Sequence, residues 1–269
     1  DFCAVTFMEE EKFVEWEKEQ ILRRSELITE DINEYFYLKQ EGDEEKEIII
    51  GGKGEKKKLE YVGGVDISFI KDNDVDACAS FVVLSFPDLK LVYEKMEMIE
   101  LKEPYIPGFL AFRECPPLVK IINSAFQESN CPKPDVLFVD GNGEHHTRGY
   151  GSACHFGVLL DLPTIGVGKT FFCIDDIPFN AKEMKKEAKN HNKMEGDWFP
   201  MKGNSGRVWG AALQAGKDAN NPIYISVGHK ISLETATKIT TLCSLHRIPE
   251  PVRFADLGSR KYISQLQKK

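Results

Sequence analysis

Apolar residues run unbroken from Val136 to Val139 and stop at Asp140. So short a run, bounded by turn formers, predicts a strand buried on both faces. The same reading places strands at "YVGGVDISF" (61–69), ending near Asp66, at "VDACASFVVLSF" (75–86) and at "KLVYEKMEMIE" (90–100). The turn signals "KDND" and "FPDLK" join these three into an antiparallel meander. Helical spacing follows over 117–129, with prolines at its start, and again over 150–161. Next come a strand "LPTIGVGK" (162–169), a hairpin of "GRVWGAALQ" with "PIYISVGHK", and a helix over 232–246 with Ser232 as N-cap. Upstream, Phe13, Trp16, Ile21, Leu27, Ile28, Ile32 and Tyr35 recur at helical spacing and predict one amphipathic helix over 10–39. Three antiparallel strands followed by helix-linked ones make an α/β fold, a mixed sheet flanked by helices.

The stretch "EGDEEKEIIIGGKGEKKK" (41–58) is charged and glycine-broken and predicts a mobile loop. The chain therefore divides into an acidic N-terminal segment, 1–58, packed on or appended to a main domain, 59–269, which ends in a basic tail. Charge follows that division. Residues 1–60 carry 18 acids and 10 bases, whereas the remaining 25 acids and 25 bases cancel. The net charge of −8 thus belongs to the N-terminus, and the neutral body can gather bases on one face for an anionic partner. No apolar run approaches membrane-span length, so no membrane partner is expected. Seven cysteines without a CxxC pair argue against a disulfide framework or structural zinc and predict a reducing compartment, cytoplasmic or nuclear.

Asp66 and Asp140 are the first candidates for chemistry. Singly, an aspartate at a strand end is most often a turn former or cap. If the two strands lie parallel and adjacent, however, both acids fall on one sheet edge about 4.8 Å apart, where they repel unless a cation intervenes. Such carboxylates suit Mg²⁺, with Mn²⁺ as a substitute. Gly141 and Gly143 would let a substrate backbone come close. Glu114, in "PYIPGFLAFREC", is either a solvated partner of Arg113 or a third metal carboxylate. Lys169, in "GVGKT", is no P-loop lysine, because the required upstream glycine is Pro163. It reads as a strand-end cation for a phosphate, beside the bland reading of a solvated lysine. His229 ends another strand as a ligand, acid–base or phosphate contact; His146 is similar in kind, and His155 sits on a helix, where packing is the commoner role. Tyr105, held by the prolines of "PYIP", is a stacking wedge or a packed surface tyrosine.

In their order and spacing, "VGGVDIS", "PYIPGFLAFRE", "LFVDGNGEHHTRGYGSACHFGV", "LPTIGVGKT" and "YISVGHKISLETA" resemble the endonuclease V family, over residues 61–246. The resemblance implies a ribonuclease H-like fold and a metal site of Asp66, Glu114 and Asp140. It gives Lys169 and His229 supporting catalytic roles, and makes Tyr105 the wedge that replaces a flipped inosine base. Gly108, Leu110, Gly141, Asn142 and Gly143 would border the hypoxanthine pocket, with His146, Arg148 and Gly168 also on the substrate side. His146-Thr147-Arg148 and Gly168 depart from the bacterial pattern of His-Pro-Arg and Ala. The long acidic N-terminus and the cysteines look eukaryotic. The resemblance therefore implies a Mg²⁺-dependent endoribonuclease that cuts single-stranded inosine-containing RNA at the second phosphodiester 3′ to inosine, and a monomer is expected. A deoxyinosine DNA repair nuclease and a catalytically dead inosine-RNA reader are the alternatives. The three intact acids argue against the reader.

Overall fold

The computed structural model describes residues 2–31, 34–38, 47–52, 55–216 and 219–268, with side chains over 11–31 and from residue 58 on. It opens with helix α1 (Phe2–Arg23), a short turn at 24–26, and three strands, β1 (Glu34–Leu38), β2 (Glu47–Gly52) and β3 (Glu55–Lys58), paired antiparallel as a small sheet. The expected helix over 10–39 thus ends at Arg23. From Leu27 on, the backbone turns extended because it has partners elsewhere: Lys230 N–H donates to the Ile28 carbonyl at 2.6 Å, and the Asp31 carboxylate accepts from Ser232 N–H. The aromatic run of 35–37 then favours a strand. The described parts of 41–58 are likewise strands rather than a loop, with β-branched isoleucines at 48–50; residues 41–46, 53 and 54 of that expected loop lie outside the described residues.

The main sheet has eight strands: β4 (Tyr61–Phe69), β5 (Asp76–Ser85), β6 (Leu91–Glu100), β7 (Val136–Asp140), β8 (Thr164–Gly168), β9 (Trp198–Lys202), β10 (Val208–Leu213) and β11 (Ile223–His229). Their spatial order is β6-β5-β4-β7-β8-β11-β10-β9. The meander and the β10–β11 hairpin are as expected, and β4 lies parallel to β7 with Val65 opposite Val139. β4 runs three residues past Asp66.

Side chains alternate across the sheet, so each face builds its own core. One core unites Val62, Phe138, Ile165 and Val167 with residues of α5 (Leu233–Leu242) and α6 (Glu250–Leu266). The other unites Val65, Leu137 and Val139 with α2 (Leu110–Ala125) and α3 (Ser152–Leu160). A further helix, α4 (Ala181–His191), covers β9 and β10.

Two expected boundaries move. α2 starts at Leu110, so Pro116 and Pro117 lie inside it and Glu114 rides on the same helix. The C-terminal basic tail is α6. Its Val252, Ala255, Ser259 and Ile263 are buried at helical spacing, and it lies so close to β4 that a Cβ on Gly64 would sit 2.1 Å from the Pro251 carbonyl oxygen.

Candidate active site

The register of β4 on β7 sets Asp66 beside Asp140, both on the α6 face, and the two carboxyl groups lie within hydrogen-bond reach. Asp66 is 7% exposed. Burial, then the charges of Asp140 and Asp256, push its carboxyl up to about 7. Glu114 enters from α2, on the other face. Burial and the charge of Asp140 push it up to about 7 as well. It is not paired with Arg113, whose guanidinium is buried and donates to the carbonyls of Glu103 and Asp74.

Lys169 follows β8 and places its ammonium 2.5 Å from Asp140 Oδ2. Burial lowers its pKa, but Asp140 and the other acids outweigh this and raise it, so the lysine stays charged. Asp256, on α6, is a fourth acid that the sequence reading passed over inside a presumed tail. Its charge reaches both Asp66 and Lys169, and Arg260 holds it at 2.7 Å. Ser68 donates to Asp66 Oδ2 at 3.2 Å, with Ser259 Oγ at 3.3 Å from the same oxygen.

Among the described residues, no three His, Cys, Asp or Glu side chains are gathered tightly enough to hold an ion as they stand. The donor set still fits a hard divalent cation. It is all oxygen, it converges on one sheet edge, and burial together with the charge of Asp140 raises the pKa of two of its acids to about 7, a cost that a cation would relieve.

Beside the acids lies a cavity of about 360 Å³. Its walls include Tyr105, Gly108, Leu110, Asn142, His146 and Phe172, and both Glu114 and Asp140 open into it. Ile106, Pro107, Gly108 and Phe109 form a tight turn. Phe109 N–H donates to the Ile106 carbonyl at 3.0 Å, and Gly108 adopts φ +85°, which only glycine takes without strain. No side chain caps the start of α2. Among the described residues the N–H groups of Gly108, Leu110 and Ala111 have no acceptor.

The Endonuclease V family model matches residues 44–257. The chain belongs to the Endonuclease V family. It is 50% identical to human Endonuclease V over 205 residues, covering 76% of this chain and 72% of the human one. It is 39% identical to the Endonuclease V of the cyanobacterium Rippkaea orientalis over 206 residues, covering 76% and 81%. The crystal structure of the catalytic domain of human Endonuclease V superposes with a TM-score of 0.82 at 41% identity, covering 96% of this chain and 98% of that one. Ciona intestinalis Endonuclease V, bound to a 24-mer DNA containing an inosine followed by a ribo-adenosine, superposes at 0.81 with 33% identity, covering 95% and 99%. The fold is ribonuclease H-like, and the protein is a nuclease, a hydrolase of phosphodiester bonds.

Several residues expected in the Endonuclease V site lie elsewhere or act indirectly. β11 runs antiparallel to β8, with His229 opposite Thr164. That places His229 five residues, or about 16 Å along the strand, from Lys169, at the other edge of the sheet. Its Nδ1 accepts from Ile28 N–H at 3.3 Å, and burial and Lys230 lower its pKa, so the structure gives it an anchoring place rather than one near a phosphate. Gly143 is packed on β11, where a Cβ would lie 2.0 Å from the Val227 carbonyl oxygen; it seats the loop on the sheet and does not line the cavity. Gly168 likewise leaves room for Asn142, whose Oδ1 would lie 2.7 Å from a Cβ there. His155 packs edge-on to Phe112 at 5.2 Å. His146 is neutral, its pKa lowered to about 4 by burial and Arg148. Because its Nδ1 accepts from Arg148 N–H, its Nε2–H donates to the Gly108 carbonyl. Arg148 donates to that same carbonyl and stacks on Phe109 with its guanidinium 4.2 Å from the ring centre.

Proposed function

We propose that this protein is a Mg²⁺-dependent endoribonuclease that cleaves single-stranded inosine-containing RNA at the second phosphodiester 3′ to inosine. The observation that carries this reading is the shared wall: a base-sized cavity opens directly on Glu114 and Asp140. A flipped base held there sets the backbone of the same strand across the acidic edge.

The unpaired N–H groups of the Gly108–Ala111 turn suit the O6 and N7 acceptors of hypoxanthine. Tyr105, 61% exposed at the rim, is free to stack in the space the base vacates. Asp66, Glu114 and Asp140 would hold Mg²⁺ or Mn²⁺, and the charge of Asp256 reaches Asp66 beside them. The bound ion would polarise the phosphate and lower the pKa of water. Lys169, kept charged by its acidic neighbours, stabilises negative charge at the phosphate rather than giving up a proton.

RNA is favoured over DNA by the animal-like sequence, nearer to the human relative than to the cyanobacterial one. The ribo-adenosine that follows inosine in the Ciona substrate points the same way, since a 2′-hydroxyl is what distinguishes the two nucleic acids. The rest of that oligomer is DNA, which keeps deoxyinosine repair as the second reading. We place the protein in the cytoplasm or nucleus, acting as a monomer. Matched RNA and DNA oligomers carrying one inosine test the proposal. Faster Mg²⁺-dependent cutting of the RNA supports it; preference for the all-DNA strand selects the second reading.

A further inference from the structure

We infer that Gln20 of α1 is a specificity-determining residue of the base pocket, a positioning residue that fixes the Gly108 turn; this rests on the inosine reading above. α1 lies outside the residues 44–257 that define the family match, and its acidic sequence suggests an appendage. The structure makes it a wall. Trp16 stacks flat on Phe112 of α2, with centroids 5.0 Å apart and planes 4° apart, while Phe13 stacks on Phe109 at 6.1 Å. One turn further along α1, Gln20 is 1% exposed and borders the cavity.

Both ends of its amide are used. Nε2 donates to the Gly108 carbonyl at 3.0 Å and lies 3.3 Å from the Tyr150 carbonyl, while Oε1 accepts from Arg148 Nε. This fixes the amide orientation, because two carbonyls on one side and a guanidinium on the other allow no flip. Gln20 therefore ties together three segments that wall the pocket: α1, the turn at 106–109, and the loop at 141–151.

The consequence lies in the Gly108 carbonyl. It accepts from Gln20, from His146 at 3.1 Å and from Arg148 at 2.6 Å. An oxygen with two lone pairs and three donors has nothing left for a ligand. The carbonyl is saturated, while the N–H groups of Gly108, Leu110 and Ala111 remain free for a base. A purine is then read by its acceptors, at a wall whose distance from position 2 is set by how firmly the turn is pinned. Gln20 is the pin that comes from outside the residues matched by the family model.

Gln20→Met keeps the length and loses every hydrogen bond. Gln20→Glu keeps the acceptor for Arg148 but turns an oxygen toward the two carbonyls. Steady-state kinetics on RNAs with a single inosine or guanosine at one position, with thermal denaturation of each variant, test the inference. The inosine-to-guanosine ratio of kcat/KM is expected to fall about tenfold in both variants, through a higher KM for inosine and with kcat little changed, because the acids are untouched. Should Gln20→Met not fold, Gln20→Glu decides alone. A folded variant with an unchanged ratio overturns the inference. A wild-type enzyme with no preference for inosine overturns the reading beneath it instead.

Discussion

The ammonium of Lys169 lies 2.5 Å from Asp140 Oδ2, at the matching ends of two adjacent parallel strands. A charged lysine among Asp66, Asp140 and Asp256 partly offsets a surplus of negative charge that a phosphate would worsen. Removing an acid should thus leave binding and abolish chemistry. Asp66→Ala or Asp140→Ala is expected to lose detectable cleavage while keeping substrate affinity in gel-shift titrations. Near-normal turnover of either variant in Mg²⁺ would contradict the metal-site assignment.

Metal binding should be coupled to protons. Asp66 and Glu114 are each pushed up to about 7 without an ion, whereas an ion binds their charged forms. Loading at pH 7 therefore releases protons, and affinity weakens as pH falls below 7, by up to about two protons per ion. Titration calorimetry in buffers of different ionisation enthalpy reads this directly. An observed enthalpy that does not depend on the buffer would rule it out.

Tyr105 stands at the rim with no partner for its ring among the described residues. Tyr105→Ala should weaken substrate binding by about 1–3 kcal/mol, the usual worth of stacking on a base. Tyr105→Phe should bind nearly as well as wild type. Equal damage from both would point to the hydroxyl instead.

Hypoxanthine differs from guanine only in lacking the 2-amino group, so selectivity needs a close wall at position 2. Leu110 and Gly141 line the cavity, and a side chain at Gly141 would press on Ser152, 3.3 Å from its Cβ. Leu110→Ala should raise cutting at guanosine relative to inosine, whereas Gly141→Val should lower cutting at both. An unchanged ratio in a stable Leu110→Ala protein would move the wall elsewhere.

The mixed sheet and the Asp66–Asp140 pair were legible because unbroken apolar runs mark central strands and their ends. The direction of an end was not. His229 ends a strand as Asp140 does, but β11 runs against β8 and carries it to the opposite edge. Asp256 is illegible for another reason. It sits among bases near the terminus, and that basic charge masks the helical spacing of Val252, Ala255, Ser259 and Ile263. The sequence pattern makes the N-terminal helix too long because apolar spacing persists beyond Arg23, while the backbone there is engaged by the end of β11, a tertiary partner that no local pattern announces. At Gly143 the limit is related: a glycine next to a strand end looks alike in sequence whether a ligand or another strand lies against it, and here it is β11.

The central claim is that one molecule of RNA is read in the cavity and cut at the neighbouring acids. A set of single-stranded RNAs of one sequence, with inosine moved one nucleotide at a time, tests it most directly when the cut position is mapped in Mg²⁺. The cut should move in step with inosine, always at the second phosphodiester on its 3′ side, and vanish with chelator or in Asp66→Ala. A cut that stays in place, or that appears equally in an RNA without inosine, would contradict the account.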